Sequence, residues 1–160
     1  MKAKRLLLAG GLILAMSATA IAQARPMIAR GATATTVELR ETALGKVLTN
    51  SEGFTLFEFT KDMKNKDKCQ AISGCTTVWP PLMTSGMPVA GSGVTQSKLG
   101  AIKLSGGGKQ VTYAGRPLYL YTGDKAAGET SYVGAKEFGG TWYAMSAKGK
   151  AVKPKKSSAW

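Results

Sequence analysis

The sequence predicts an all-β fold: a single small domain of two pseudo-symmetric β-hairpin repeats with a disulfide-pinned loop. Three observations predict it. The rhythm TLFEFTKD at 55–62 returns as PLYLYTGD at 117–124. Short β-prone runs are punctuated by glycine, and no long stretch carries a helical period. Cys69 and Cys75 lie between the two copies, close enough to close a short loop.

The elements follow in chain order. Residues 1–24 read as a secretory signal peptide. Lys2, Lys4 and Arg5 form its positive end. The apolar run at 6–16 is too short to span a bilayer as a folded helix. Ala22-Gln23-Ala24 supplies the small residues that cleavage needs, with Ala18-Thr19-Ala20 as a second site. No cysteine follows the apolar run, so lipid attachment there has no acceptor. Residues 25–36 are small, polar and patternless, and read as a flexible N-terminal arm. The remaining chain, 37–147, is one domain in size. A basic tail at 148–160 closes the sequence.

Inside the domain, 37–40 alternates as a strand does, and 45–49 is strand-like. Residues 50–53 read as a turn, and 54–59 as the returning strand. The second copy repeats this with 111–113, the turn Ala114-Gly115, and 118–121. Repeat 1 thus covers about 45–82 and repeat 2 about 108–145. The segment 88–108 reads as loop, interrupted at 98–104, and 141–145 as a last strand.

In a strand, residues two apart share a face. Phe57 and Phe59 therefore point one way, and Leu56 and Glu58 the other. Tyr119 and Tyr121 repeat the first face, Leu118 and Leu120 the second. Asp62 and Asp124 each follow three residues after the second aromatic. One hairpin cannot bury such a face alone, but two packed together can. Between the copies, Trp79-Pro80-Pro81-Leu82 breaks strand pairing and offers Trp79 as a cap on the core.

An exported chain meets an oxidising compartment, so Cys69 and Cys75 are expected to be bridged. Their C-x5-C spacing is not the C-x-x-C of a thioredoxin-like site. A loop this short gives the bridge a structural worth of about 2 kcal/mol.

Two motifs of the form aromatic-x-aromatic-x-x-Asp, with Cys-x-x-x-Trp-Pro-Pro-Leu between them and Gly-Gly-x-Trp-Tyr after, resemble a bacterial secreted-repeat family. Its members are predicted lipoproteins with a Yx(FWY)xxD motif. The resemblance covers about 37–149. It carries Phe57, Phe59, Asp62, Cys69, Cys75 and Trp79 in the first half, and Tyr119, Tyr121, Asp124 and Trp142 in the second. The sequence departs from the pattern twice. Phe57 stands where the family favours Tyr, which removes a hydroxyl, and the lipidation cysteine is missing. The resemblance implies a fold unit and an export route, not a reaction.

Composition narrows the chemistry. There is no histidine, which removes the usual general base, the usual haem ligand and the commonest zinc ligand. The 9 carboxylates are scattered, and no serine sits in a nucleophile elbow. GSG at 91–93 and SGGGK at 105–109 are glycine-rich without being a phosphate loop. A catalytic role is not expected, and neither is a cofactor.

The candidate binding residues are Phe57, Phe59, Asp62, Trp79, Tyr119, Tyr121, Asp124 and Trp142. Asp62 and Asp124 fit Asx turns, each carboxylate accepting backbone N–H groups beyond a strand end. A cation held between them is the competing role. The tyrosines fit core packing with hydroxyls at the rim, or a groove for a sugar or aromatic ligand. Met83 and Met87 are the weak metal candidates, since thioethers suit Cu(I).

The formal charge of +13 falls to +10 once Lys2, Lys4 and Arg5 are removed. Much of it gathers in KDMKNKDK at 61–68 and in the tail. This fits attraction to anionic envelope surfaces. Aromatics do not interleave with these lysines, so specific nucleic-acid binding is not expected. After signal cleavage no transmembrane segment remains, and the protein is expected in the periplasm or outside the cell. The leading function is a non-catalytic envelope binding or interaction module. The alternative is a periplasmic redox or metal accessory protein of a copper or haem pathway, and an enzyme comes last.

Overall fold

The computed structural model describes residues 34–154. The signal peptide, most of the arm and the end of the basic tail lie outside the described residues. Glycine and the short apolar alternations divide the chain into eleven short strands among the described residues. β1 (Thr36–Thr42) and β2 (Gly45–Asn50) form a hairpin with Leu39 opposite Leu48. The chain turns at Gly53, whose φ of 88° only glycine adopts without strain. It returns through Leu56, whose N–H donates to the Leu48 carbonyl, into β3 (Phe57–Phe59).

The second repeat follows the same path. β6 (Leu99–Lys103) and β7 (Lys109–Tyr113) form its hairpin, and β8 (Arg116–Pro117) returns after Gly115. The Leu118 N–H donates to the Val111 carbonyl, as Leu56 does to Leu48. The interruption predicted at 98–104 within the loop 88–108 is the strand β6, and the part read as loop also contains β5 (Val89–Ala90), which pairs in parallel with β1. The strand predicted at 54–59 is shorter, because only β3 and a bridge at Thr55 join a ladder.

The two repeats meet on a pseudo-twofold axis. Phe57 and Tyr119, the first aromatics of the two motifs, exchange both backbone hydrogen bonds at 2.9 Å. Each repeat then completes the other. The Leu82 N–H donates to the Leu118 carbonyl at 2.9 Å, and the Met145 N–H to the Leu56 carbonyl at 3.0 Å. β4 (Met83–Thr84) of the first repeat pairs with β7. β10 (Gly140–Met145) of the second pairs with β3, placing Trp142 opposite Phe59. β10 also carries β9 (Lys136–Glu137) and β11 (Ala151–Val152).

Both faces of the central layer are buried. Phe57, Phe59, Tyr119, Trp79 and Trp142 form one core, with the bridged cysteines. Leu48, Leu56, Val111, Leu118 and Met145 form the other. Trp79 is not a cap. It is fully buried and stacks on Trp142 at 4.1 Å with planes 3° apart. Phe59 stacks on the far face of the same assembly, 4.2 Å from Trp142.

Cys69 and Cys75 are joined, with Cα atoms 5.4 Å apart. The bridge closes the loop over a 3-10 turn at Cys69–Ala71 and the short helix α1 (Cys75–Val78). The helix delivers Trp79 to the core. At the other end, β11 lies inside the segment read as a tail. The Lys150 carbonyl accepts from the Ser146 N–H at 3.0 Å, so the fold continues past 148.

Candidate functional site

The two motif aspartates occupy equivalent places, and their surroundings differ. Asp62 is almost wholly buried. Its Oδ1 accepts from the Lys68 N–H at 2.7 Å, and its Oδ2 from the Tyr119 hydroxyl at 2.8 Å. Tyr119 belongs to the second repeat, so this bond crosses the pseudo-twofold axis. The repeat-related pair is Asp124 and Phe57, and Phe57 has no hydroxyl. Both Asp124 carboxylate oxygens are shielded from solvent and have no hydrogen-bond partner.

Asp124 is not the Asx cap predicted for it. The amides just beyond it are already used, because the Lys125 and Ala126 N–H groups donate to Glu129 Oε2 at 2.7 and 3.3 Å. Glu129 in turn is anchored by its own carbonyl, which accepts from the Thr55 hydroxyl at 2.6 Å. The Gly128 N–H closes the loop onto the Gly53 carbonyl at 2.8 Å.

Burial drives the titration of these groups. Removal from water raises Asp62 from 3.8 to about 6, against the lowering effect of the Lys68 N–H and the Tyr119 hydroxyl. Burial raises Asp124 to about 7, and the Glu129 charge adds to it. Tyr119 is pushed well above the ordinary phenol range, by burial first and then by the Asp62 charge. Burial and a hydrogen bond with Tyr132 raise Tyr121 as well.

Asp124 opens onto a cleft of about 250 Å³. Phe54, Pro80, Leu120 and Tyr121 supply its apolar walls. Asn50, Glu52 and Thr122 supply the other polar groups. Two of these are committed to the backbone. Asn50 Oδ1 accepts from the Glu52 and Phe54 N–H groups, and the Thr122 hydroxyl donates to the Val78 carbonyl. A second, more polar depression of about 330 Å³ lies beside Lys66, Asp67 and Lys103. There Asp67 Oδ1 accepts from the Gln70 N–H at 3.1 Å, and Ser105 donates to Gln70.

A family model described as a secreted repeat of unknown function matches residues 38–83 and 100–146. The chain belongs to this secreted-repeat family. Its two matched spans run from the first hairpin strand of each repeat to the strand that crosses into the other. No curated protein and no solved structure matches the chain. The family's description as secreted fits an exported protein.

The secreted repeat sorts the predicted site residues into three groups. Phe57, Phe59, Trp79, Tyr119 and Trp142 are fully buried in one core, and Asp62 is tied to that core through Tyr119. Tyr121 and Asp124 alone among them line the cleft. Met83 and Met87 are exposed, on either side of the Ser85-Gly86 bend.

Sequence reasoning missed three partners. Glu58, placed on the face opposite the aromatics, is buried and pairs with Arg116 at 2.7 Å. Arg116 also donates to the Asp62 carbonyl at 3.4 Å. Glu137 accepts from the Trp79 indole at 2.8 Å. A lone acid between two aromatics in a short strand was the available signal for Glu58. Nothing local marked Arg116 or Glu137.

Proposed function

We propose that the protein is an exported, non-catalytic binding module of the cell envelope, and that the Asp124 cleft is its ligand site. The observation that carries this reading is that Asp124, a residue lining the cleft, holds a shielded carboxylate with two unpartnered oxygens. A buried acceptor without a donor costs free energy that a ligand can recover. The twin position, Asp62, is satisfied from within the fold, so the repeat architecture does not require the vacancy at Asp124. The lack of histidine supports a non-catalytic role. The redox-or-metal alternative retains only the exposed thioethers of Met83 and Met87, because Cys69 and Cys75 are joined.

Isotope-labelled mature protein titrated with separated envelope fractions tests the proposal. The expected result is saturable amide shifts at Phe54, Leu120, Tyr121 and Asp124 with at least one glycan, lipid or peptide fraction. Shifts confined to the lysine-bearing surface, with the cleft silent, would remove the cleft from the account. Stoichiometric copper or iron in untagged protein, lost on M83A with M87A, would favour the alternative.

A further inference from the structure

We infer that the Asp124 cleft takes an organic cation: an ammonium head on an aliphatic body. This rests on the cleft being the binding site and goes further by naming the ligand's chemistry. Three features lead to it. The first is the charge at the cleft. On a chain with a formal charge of +13, its wall carries Glu52 and Asp124 and no lysine or arginine. The second is the hydrogen-bond inventory. Asn50 and Thr122 are occupied, which leaves the Asp124 and Glu52 carboxylates as the wall's acceptors, and an ammonium group is purely a donor. The third is the rest of the wall. Leu120, Pro80 and Phe54 suit an alkyl chain.

A hard metal ion fits less well. Calcium seeks six to eight oxygens, and among the described residues no group of three acidic or sulfur ligands stands together. An ammonium group can donate to a carboxylate and leave its remaining N–H donors to water at the cleft mouth.

The groups facing Asp124 set the pH response. The Glu129 charge adds to burial in raising Asp124, Glu52 stands on the same wall, burial raises Tyr121, and Lys125 follows in the chain. Asp124 therefore titrates near neutrality. A bound ammonium favours the ionised carboxylate, so binding strengthens as pH rises through about 7.

The test uses mature protein with n-pentylammonium, 1-pentanol as its neutral counterpart, and calcium chloride, each followed by amide shifts. Pentylammonium is expected to move Leu120, Tyr121 and Asp124 saturably, with affinity at least about tenfold above pentanol, a gap of about 1.4 kcal/mol. D124N should remove that gap. In the unaltered protein, affinity should drop at least about fivefold from about pH 8 to about pH 5.5, which decides the matter if D124N fails to fold. Equal binding of pentanol, a pH-independent affinity, or calcium moving the same residues in place of the amine would each overturn the inference. If envelope fractions move the cleft residues and pentylammonium does not, the ligand class is wrong and the binding site stands. If neither moves them, both fall.

Discussion

Asp62 and Asp124 hold the same place in the two motifs, and only Asp62 meets a tyrosine hydroxyl from the other repeat. Tyr119→Phe would strip Asp62 of its cross-repeat donor and leave a buried oxygen unpaired. The expected cost is about 1–3 kcal/mol, read as a lower denaturant midpoint at unchanged slope. The Asp62 carboxyl should titrate higher still, because the hydroxyl now holds it down. A second expectation concerns pH. Asp62 and Asp124 both titrate well above 3.8 when folded, at about 6 and about 7. The folded protein then holds more protons than the unfolded chain in the interval between. These groups' contribution is fully present below about pH 4 and is lost as pH rises through about 7. Thermal midpoints should therefore fall between about pH 4.5 and about pH 8, and D124N should flatten the decline. A rise over that range would contradict it. The Phe57 departure and its lost hydroxyl were legible in the sequence. Which aspartate lost its partner was not, because the partnership crosses between repeats.

Short elements hold this fold through contacts made far along the chain. β3 has only three residues, yet all are buried, and Glu58 among them relies on Arg116 in β8. Arg116→Ala should cost about 2 kcal/mol, since it leaves a shielded carboxylate without its charged donor. Arg116→Lys should recover only part of this, because a lysine loses the fixed geometry of the guanidinium. Chemical denaturation of the three proteins checks the order. At the C-terminus, β11 pairs with Ala144 and Met145, and Lys98 Nζ donates to the Lys148 carbonyl at 3.2 Å. Deleting 148–160, which removes β11, should lower the thermal midpoint by several degrees more than deleting 155–160. If the basic segment draws the protein to anionic vesicles at low salt, cosedimentation should weaken with the shorter deletion, since each lysine near such a surface contributes about 1 kcal/mol. The strand character of 151–152 had no sequence signal: two small apolar residues among lysines carry no period. β6 was half legible at 98–104, where the alternation is short and flanked by glycine.

The two repeats form one molecule because neither closes on itself. The hairpins and their two-residue face pattern were legible, and so was the need for one aromatic face to meet another. The crossing of β4 onto β7 and β10 onto β3 was not, because register between distant strands is set by packing and not by local pattern. The same crossing carries Trp79 and Trp142 into one stack, which buries two indoles that either repeat alone would expose. Reciprocal completion is therefore the central claim, and fragment complementation tests it most directly. The chain is cut at the exposed Ser92–Gly93 bond, and fragments 25–92 and 93–160 are made separately. Each alone should show the narrow amide dispersion of an unfolded chain, and the equimolar mixture should regain the spectrum of the intact protein. A fragment that folds by itself, or two that fail to combine while the intact chain folds under the same conditions, would contradict the account.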